Sequence, residues 1–203
     1  MANMCNSWGI DFKEVAEGMG LDSRISPLFL RAGVGFGGSC FPKDVKALAA
    51  ASKSSKVESK MLDASLEVNE TQPLIVVQMA RERLGNLKGK NITVLGLAFK
   101  PDTDDIRESR SEVVIKKLVD EGAYVTGHDP EAMANFSEIC NIEMANNNED
   151  AISGADCIIL MTEWKEYIDL DYNLIKQKMS GNVIIDGRRA FDYRRMEEAG
   201  FDY

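Results

Sequence analysis

One stretch concentrates the reactive side chains. Phe29-Leu-Arg-Ala-Gly-Val-Gly-Phe-Gly-Gly-Ser-Cys-Phe-Pro-Lys-Asp44 joins a glycine-rich turn to a helix start, and Pro42 suits a first helical position. Glycines permit unusual backbone angles and close approach to the main chain. The free N–H groups and the dipole at a helix start favour an anion. Cys40 stands there with Lys43 close by, and both favour the thiolate, the nucleophilic form of the side chain. Asp44, one turn further on, is placed to orient a water or take up a proton. The usual fate of a free cysteine is inert burial, and Cys5, Cys140 and Cys157 are assigned to it. Gly33, Gly35 and Gly38 satisfy G-x-G-x-x-G, yet that spacing cradles a dinucleotide only after a β-strand. The residues 27–32 do not read as a strand and no acid follows at the right distance, so the cofactor reading of these glycines is rejected.

The elements that must position this stretch fall into two parts, residues 1–88 and 89–203. The first reads as helices. Phe12, Val15 and Ala16 fall at helical spacing within 11–18, ended by Gly18 and Gly20. A second helix starts at Pro42 and runs through Val45, Ala47, Leu48 and Ala49. After a polar break at 52–56, residues 57–84 form one long segment. Its apolar stripe is Met61, Leu62, Leu66, Val68, Ile75, Val76, Met79 and Ala80, and Pro73 kinks or restarts it. Residues 85–90 read as a turn or linker. Beyond them, strands over 92–97, 123–127, 157–161 and 183–185 alternate with helices over 111–121, 149–153, 172–179 and 194–199. That alternation predicts an α/β fold, a parallel sheet covered on both faces, following a partial all-α domain with a long connecting helix.

The chain has 203 residues, 44% of them hydrophobic. At roughly 150 residues per domain that allows one or two domains, and such a chain buries about 70% of its unfolded surface without staples. Its 33 acidic residues against 24 Lys and Arg give a net charge of −9, which argues against non-specific nucleic-acid binding and against an anionic membrane surface. No apolar run approaches the ~20 residues of a membrane helix. The first six residues lack the charged start and apolar core of a signal peptide, so a cytoplasmic location is expected. Four scattered cysteines without a C-x-x-C pair, and a single histidine, His128, predict neither a disulfide framework nor a metal site. His128 is expected in an exposed loop, and Trp8 and Trp164 in a core or an interface.

Residues 35–44, Gly-Phe-Gly-Gly-Ser-Cys-Phe-Pro-Lys-Asp, resemble the active-site segment of the UDP-glucose/GDP-mannose dehydrogenases. The resemblance continues in order through Val94–Ser109, Gly127-His-Asp-Pro130, Thr162-Glu-Trp164 and Asp186-Gly-Arg-Arg189. Arg24-Ile25, Phe29-Leu30 and Phe41-Pro42 look most like the branch that oxidises UDP-glucose at C6 to UDP-glucuronate with NAD. That resemblance implies a thiohemiacetal on the cysteine, its oxidation to a thioester, and hydrolysis. A thiolate serves as both nucleophile and leaving group. By resemblance Cys40 is the nucleophile, and Asp44 assists proton transfer. Phe29, Leu30, Arg31, Ala32, Gly33 and Gly37 enclose the sugar. Phe99, Lys100 and Arg188 contact the nucleotide sugar, with Arg24 reaching the substrate of a neighbouring subunit. Lys43 and Arg107 contact NAD. Read from the residues alone, Lys100 and Arg107 are ordinary solvated charges.

The resemblance also implies a homodimer through the 57–84 segment, against the plain alternative of a helix buried in its own subunit. The family's NAD-binding domain and its upstream catalytic lysine and asparagine have no counterpart in this sequence. The two ends read as cuts within a longer protein, and the chain alone is expected to show no turnover. Alternatives are a UDP or UDP-sugar binding module without chemistry, a relative acting on GDP-mannose or a UDP-N-acetylhexosamine, and an unrelated βα nucleotide binder. Arg110 departs from the family pattern, at what is expected to be the mouth of the cleft.

Overall fold

The computed structural model describes all 203 residues, which fall into two compact units, 1–33 and 34–203. In the first, α1 (Ala2–Trp8) and α2 (Phe12–Gly20) precede a 3-10 turn at Pro27–Phe29. Gly9 closes α1 in the left-handed conformation, and the Asp11 side chain caps α2 by accepting from the Lys13 amide at 2.8 Å. Trp8 is 64% exposed, so the core placement allowed for it does not hold.

The second unit opens with α3 (Phe41–Ser54), α4 (Lys60–Thr71) and α5 (Pro73–Leu84). The long 57–84 segment is therefore two helices. Pro73 brings no N–H to the helix ladder, and the chain restarts there while Gln72 keeps helical angles. The apolar stripe divides at the same point. α5 buries Val76, Val77 and Ala80, packing against α6 and β5, whereas α4 buries only Asn69 and leaves Met61 and Val68 exposed. In α3 only Pro42 is buried, and Leu48 is exposed.

The rest is an α/β layer with β1 (Asn91–Leu95), α6 (Arg110–Asp120), β2 (Tyr124–His128), α7 (Met133–Ser137), β3 (Glu143–Met144), α8 (Asn148–Ile152), β4 (Cys157–Leu160), α9 (Lys165–Ile168), α10 (Tyr172–Lys178), β5 (Val183–Asp186) and α11 (Tyr193–Glu198). The five strands are all parallel, in the order β3-β2-β1-β4-β5. Alternate side chains serve opposite faces. Val94, Ile159 and Ile185 join one core cluster with Val114, Ile115 and Leu118 of α6. Leu95, Ile158, Leu160 and Ile184 join the other, with Tyr167 and Ile175. Both faces are thus covered, as unbroken apolar strands require. At the chain end Asp202 makes a parallel bridge to Val183, continuing the β5 edge. No helix is long and apolar enough to cross a membrane.

His128 corrects an expectation. It is not in an exposed loop but ends β2, buried, with Nδ1 2.9 Å from the Tyr167 hydroxyl. A strand-end residue in a sheet covered on both faces has little route to solvent, and α9 closes over this one.

Candidate active site

β1 lies between β2 and β4. The chain leaves β1 in one direction along the sheet and later returns to its other side. Parallel sheets bind ligands in the crevice at the carboxyl ends of such a switch point. β1 stops at Leu95, two residues short of expectation, because Gly96 turns with φ +98 beside Thr162; a Cβ there would fall 2.4 Å from the Thr162 Cβ. The loop that follows carries Phe99 and Lys100, with the Lys100 ammonium 5.5 Å from the centre of the Phe99 ring. Arg188 follows β5. It forks onto Glu163, the residue after Thr162 beyond β4, with Nε 2.6 Å from Oε2 and Nη2 3.1 Å from Oε1. That planar fork binds a phosphate as well as a carboxylate.

The Cys40 loop is clamped against this layer. Val34 joins the core beneath Gly187. Asn69 pairs with the backbone of Phe36 at both ends, accepting from its N–H at 2.7 Å and donating to its carbonyl at 3.1 Å. The Gly38 amide donates to the Arg107 carbonyl at 2.8 Å. A Cβ on Gly37 would fall 2.4 Å from the Glu108 carbonyl oxygen, and one on Gly38 2.7 Å from the Phe99 ring. The glycines therefore serve close packing between two protein segments. No strand precedes them, in keeping with the rejected cofactor reading.

Cys40 is the N-cap residue of α3, and its carbonyl accepts from the Asp44 amide at 2.9 Å. It is the one exposed cysteine; Cys5 and Cys157 are buried and Cys140 is half-buried. Burial pushes the Cys157 thiol up to about 12 and also raises that of Cys140. Ser39 Oγ lies 3.7 Å from the Cys40 sulfur. Arg107 is held in a fork by Asp105, its Nη2 2.7 Å from Oδ2. Its guanidinium is raised above the ordinary value, chiefly by Asp105 and less by the nearby Cys40. Lys43 and Asp44, 3.4 Å apart, are both exposed on the first turn of α3.

Gly37, Cys40, Phe99 and Arg107 are thus brought together within residues 34–203, with Lys43 and Asp44 beside the cysteine and Lys100 beside the ring. Arg188 stands at the β5 end of the same sheet edge. Phe29, Leu30, Arg31, Ala32 and Gly33 lie in the first unit. Arg24 lies there too, paired with Asp22 at 2.6 Å. Sequence reasoning missed the group beneath the glycine loop. Arg110 is buried, with Nε 3.0 Å from the Glu108 carbonyl and Nη2 2.9 Å from Oε2 of the same residue, while Lys46 donates to Oε1 at 2.8 Å. Lys46 foremost, and then Arg110, hold the Glu108 carboxyl below its usual range. Arg110 accordingly lies under the loop, packed on Gly35. The sequence marked Arg110 as a departure from the family pattern but gave no sign of its burial or of its bonds to Glu108.

The residues present do not form a dinucleotide cradle. The amides of Leu97 and Ala98 after β1, where a pyrophosphate would sit, are bonded to Asp129.

Known proteins share both the sequence and the fold of this chain. Residues 1–71 match the central domain of the UDP-glucose/GDP-mannose dehydrogenase family, and residues 93–193 match its UDP-binding domain. The chain is 45% identical to UDP-glucose 6-dehydrogenase AglM of Haloferax volcanii over 204 residues, covering 100% of this chain and 46% of that one. It is 40% identical to UDP-glucose 6-dehydrogenase TuaD of Bacillus subtilis, covering 100% and 44%. The solved structure of a UDP-glucose dehydrogenase from Pyrobaculum islandicum superposes with a TM-score of 0.85 at 40% identity, over 93% of this chain and 42% of that one. The chain spans a little under half the length of these relatives. On the two domain matches and the shared fold, the chain belongs to the UDP-glucose/GDP-mannose dehydrogenase family.

Proposed function

We propose that these residues are the nucleophile-bearing and nucleotide-sugar-binding part of an NAD-dependent UDP-glucose 6-dehydrogenase. Residues 1–88 serve as the helical part and 89–203 as the UDP-sugar part. The observation that carries the reading is the clamp. The loop ending in the one exposed thiol is packed, glycine against ring, on the segment that bears Phe99, Lys100 and Arg107 at the carboxyl edge of the sheet.

In this reading Lys100 and Arg188 take the pyrophosphate, Arg188 exchanging its fork on Glu163 for a phosphate. Gly37, with Phe29, Leu30, Arg31, Ala32 and Gly33, encloses the hexose, and Arg24 reaches the substrate of a second subunit. Cys40 sulfur forms a bond to the C6 aldehyde carbon, and a proton goes to its oxygen. At the thioester stage Asp44 takes a proton from the attacking water as its oxygen bonds to the carbonyl carbon, the C–S bond breaks, and Asp44 passes that proton to the departing sulfur, restoring the thiol. Lys43 and Arg107 reach NAD from this side. The hydride transfers are assigned to no residue here, because no cradle for the dinucleotide exists among these residues. Mixing the chain with NAD and UDP-glucose is therefore expected to give no NADH. The uncovered face of α4, with Met61 and Val68 exposed, supports a homodimer through residues 57–84. Sedimentation showing only monomer would count against it.

The test is calorimetry with UDP, UDP-glucose and GDP. UDP and UDP-glucose are expected to bind and GDP to bind at least tenfold more weakly. Equal binding of GDP would move the reading to a GDP-sugar relative, and binding of none would remove it.

A further inference from the structure

Asp129, Thr162, Trp164 and Ser109 lie in motifs that stand out in the sequence but have no part in the chemistry above. In the fold they converge on one short piece of backbone, Gly96-Leu-Ala98, immediately before Phe99 and Lys100. Asp129, fully buried, turns one carboxylate oxygen to the Leu97 amide at 2.7 Å, the Ala98 amide at 3.0 Å and the Trp164 indole N–H at 3.2 Å. Its other oxygen accepts from the Glu131 and Ala132 amides at 3.0 and 2.9 Å, which anchors it to its own loop. The carbonyls of the same piece are taken by hydroxyls. Ser111 donates to Gly96 at 2.8 Å, Ser109 to Leu97 at 2.7 Å and Thr162 to Ala98 at 2.7 Å. The Gly96 amide donates to the His128 carbonyl at 2.9 Å.

Every amide and carbonyl from Gly96 to Ala98 therefore has a named partner, nearly all of them side chains. Irregular backbone buried at a strand end must find such partners somewhere. Here they come from three separate stretches of chain: Ser109 and Ser111 at the start of α6, His128 and Asp129 at the end of β2, and Thr162 after β4. This fixes the direction in which the chain emerges towards Phe99 more tightly than a turn closed on itself.

We propose that Asp129, Ser109, Ser111 and Thr162 are positioning residues for the Phe99–Lys100 loop, holding it ready to receive the nucleotide sugar before that ligand arrives. A preformed site avoids the ordering cost that binding would otherwise carry. The proposal rests on the reading of Phe99 and Lys100 as substrate contacts.

The experiment compares Thr162→Val, Thr162→Ser and Thr93→Val in the full chain. Thr93, within β1 and away from the ligand edge, is the matched control: its buried hydroxyl donates to the Ala151 carbonyl of α8 at 2.5 Å. Both valine variants lose one buried hydroxyl bond and a similar amount of stability. Thr162→Val is expected to weaken UDP binding by about fivefold, the value of one net hydrogen bond, and Thr162→Ser to restore it. Thr93→Val is expected to leave UDP binding unchanged. Amide hydrogen exchange without ligand supplies the second measurement, with Ala98 and Phe99 exchanging faster in Thr162→Val than in Thr93→Val. Equal exchange at these amides in the two valine variants overturns the proposal, whether or not UDP binds. Faster exchange in Thr162→Val with no UDP binding by the wild-type chain would sustain the positioning and remove the substrate reading. Binding unaffected by Thr162→Val would confine the network to a structural role and overturn the proposal.

Discussion

At Gly38 the loop bearing Cys40 meets the Phe99 ring, and one methyl group tests the holding. Its φ is +83, and a Cβ would lie 2.7 Å from the Phe99 ring, with two further ring atoms at 2.9 Å. Gly38→Ala meets two costs. A left-handed backbone with a Cβ costs about 1–2 kcal/mol. Overpacking against a ring costs about 1–3 kcal/mol, since Phe99 is partly buried and cannot swing freely. The expected destabilisation is thus about 2–5 kcal/mol, a fall in melting temperature of about 4–20 °C for a unit of this size. Phe99→Ala separates the two costs. In that background only the backbone share remains, so the double-mutant cycle closes with a coupling of about 1–3 kcal/mol. Denaturant midpoints for the four proteins measure it. The same cost for Gly38→Ala in both backgrounds would mean that loop and ring do not meet in solution, and the clamp would be refuted.

Two further outcomes are expected. His128 is the only imidazole, and burial holds its pKa below the ordinary 6.5. The unfolded chain therefore binds its proton first, so the His128 contribution is complete above pH 6.5 and is lost as pH falls below it towards the lowered folded value. His128→Asn should flatten this slope in the denaturant midpoint just below pH 6.5; a slope that persists unchanged would place its origin elsewhere. Arg188→Ala should weaken UDP binding by about 10–100-fold, the loss of a charge-assisted contact. Arg188→Lys should recover little, because an ammonium cannot reproduce the fork; full recovery would show that charge alone matters.

Much of the fold was legible because strong patterns carried it. The apolar runs of β1, β4 and β5 read as buried strands, and they are. The glycine loop and Pro42 marked the start of α3. Short elements escaped: β3 has two residues and α9 has four, too few to show a period. The stripe on α4 was visible, but its spacing reports only that one face is apolar, not what covers it, and within the chain nothing covers Met61. The candidate site was legible where reactive types cluster in sequence, as at Cys40, Lys43 and Asp44. Residues whose work is to bond backbone far away in the chain gave no local signal. Arg110 stood out only as a departure from the family pattern, with no sign of the backbone and carboxylate it bonds, and Asn69 did not stand out at all. Asp129 was visible as part of a motif, but its role appears only when the ends of β1, β2 and β4 are seen side by side.

The central claim is that the Cys40 thiol faces the place where a nucleotide sugar binds. Its most direct measurement is the rate of iodoacetamide labelling at each cysteine, followed by peptide mass spectrometry with and without UDP-glucose. Cys40 is expected to label first, Cys5 and Cys157 only on unfolding, and saturating UDP-glucose to slow Cys40 severalfold while leaving Cys140 unchanged. Labelling of Cys40 at the same rate with the sugar nucleotide bound would contradict the account.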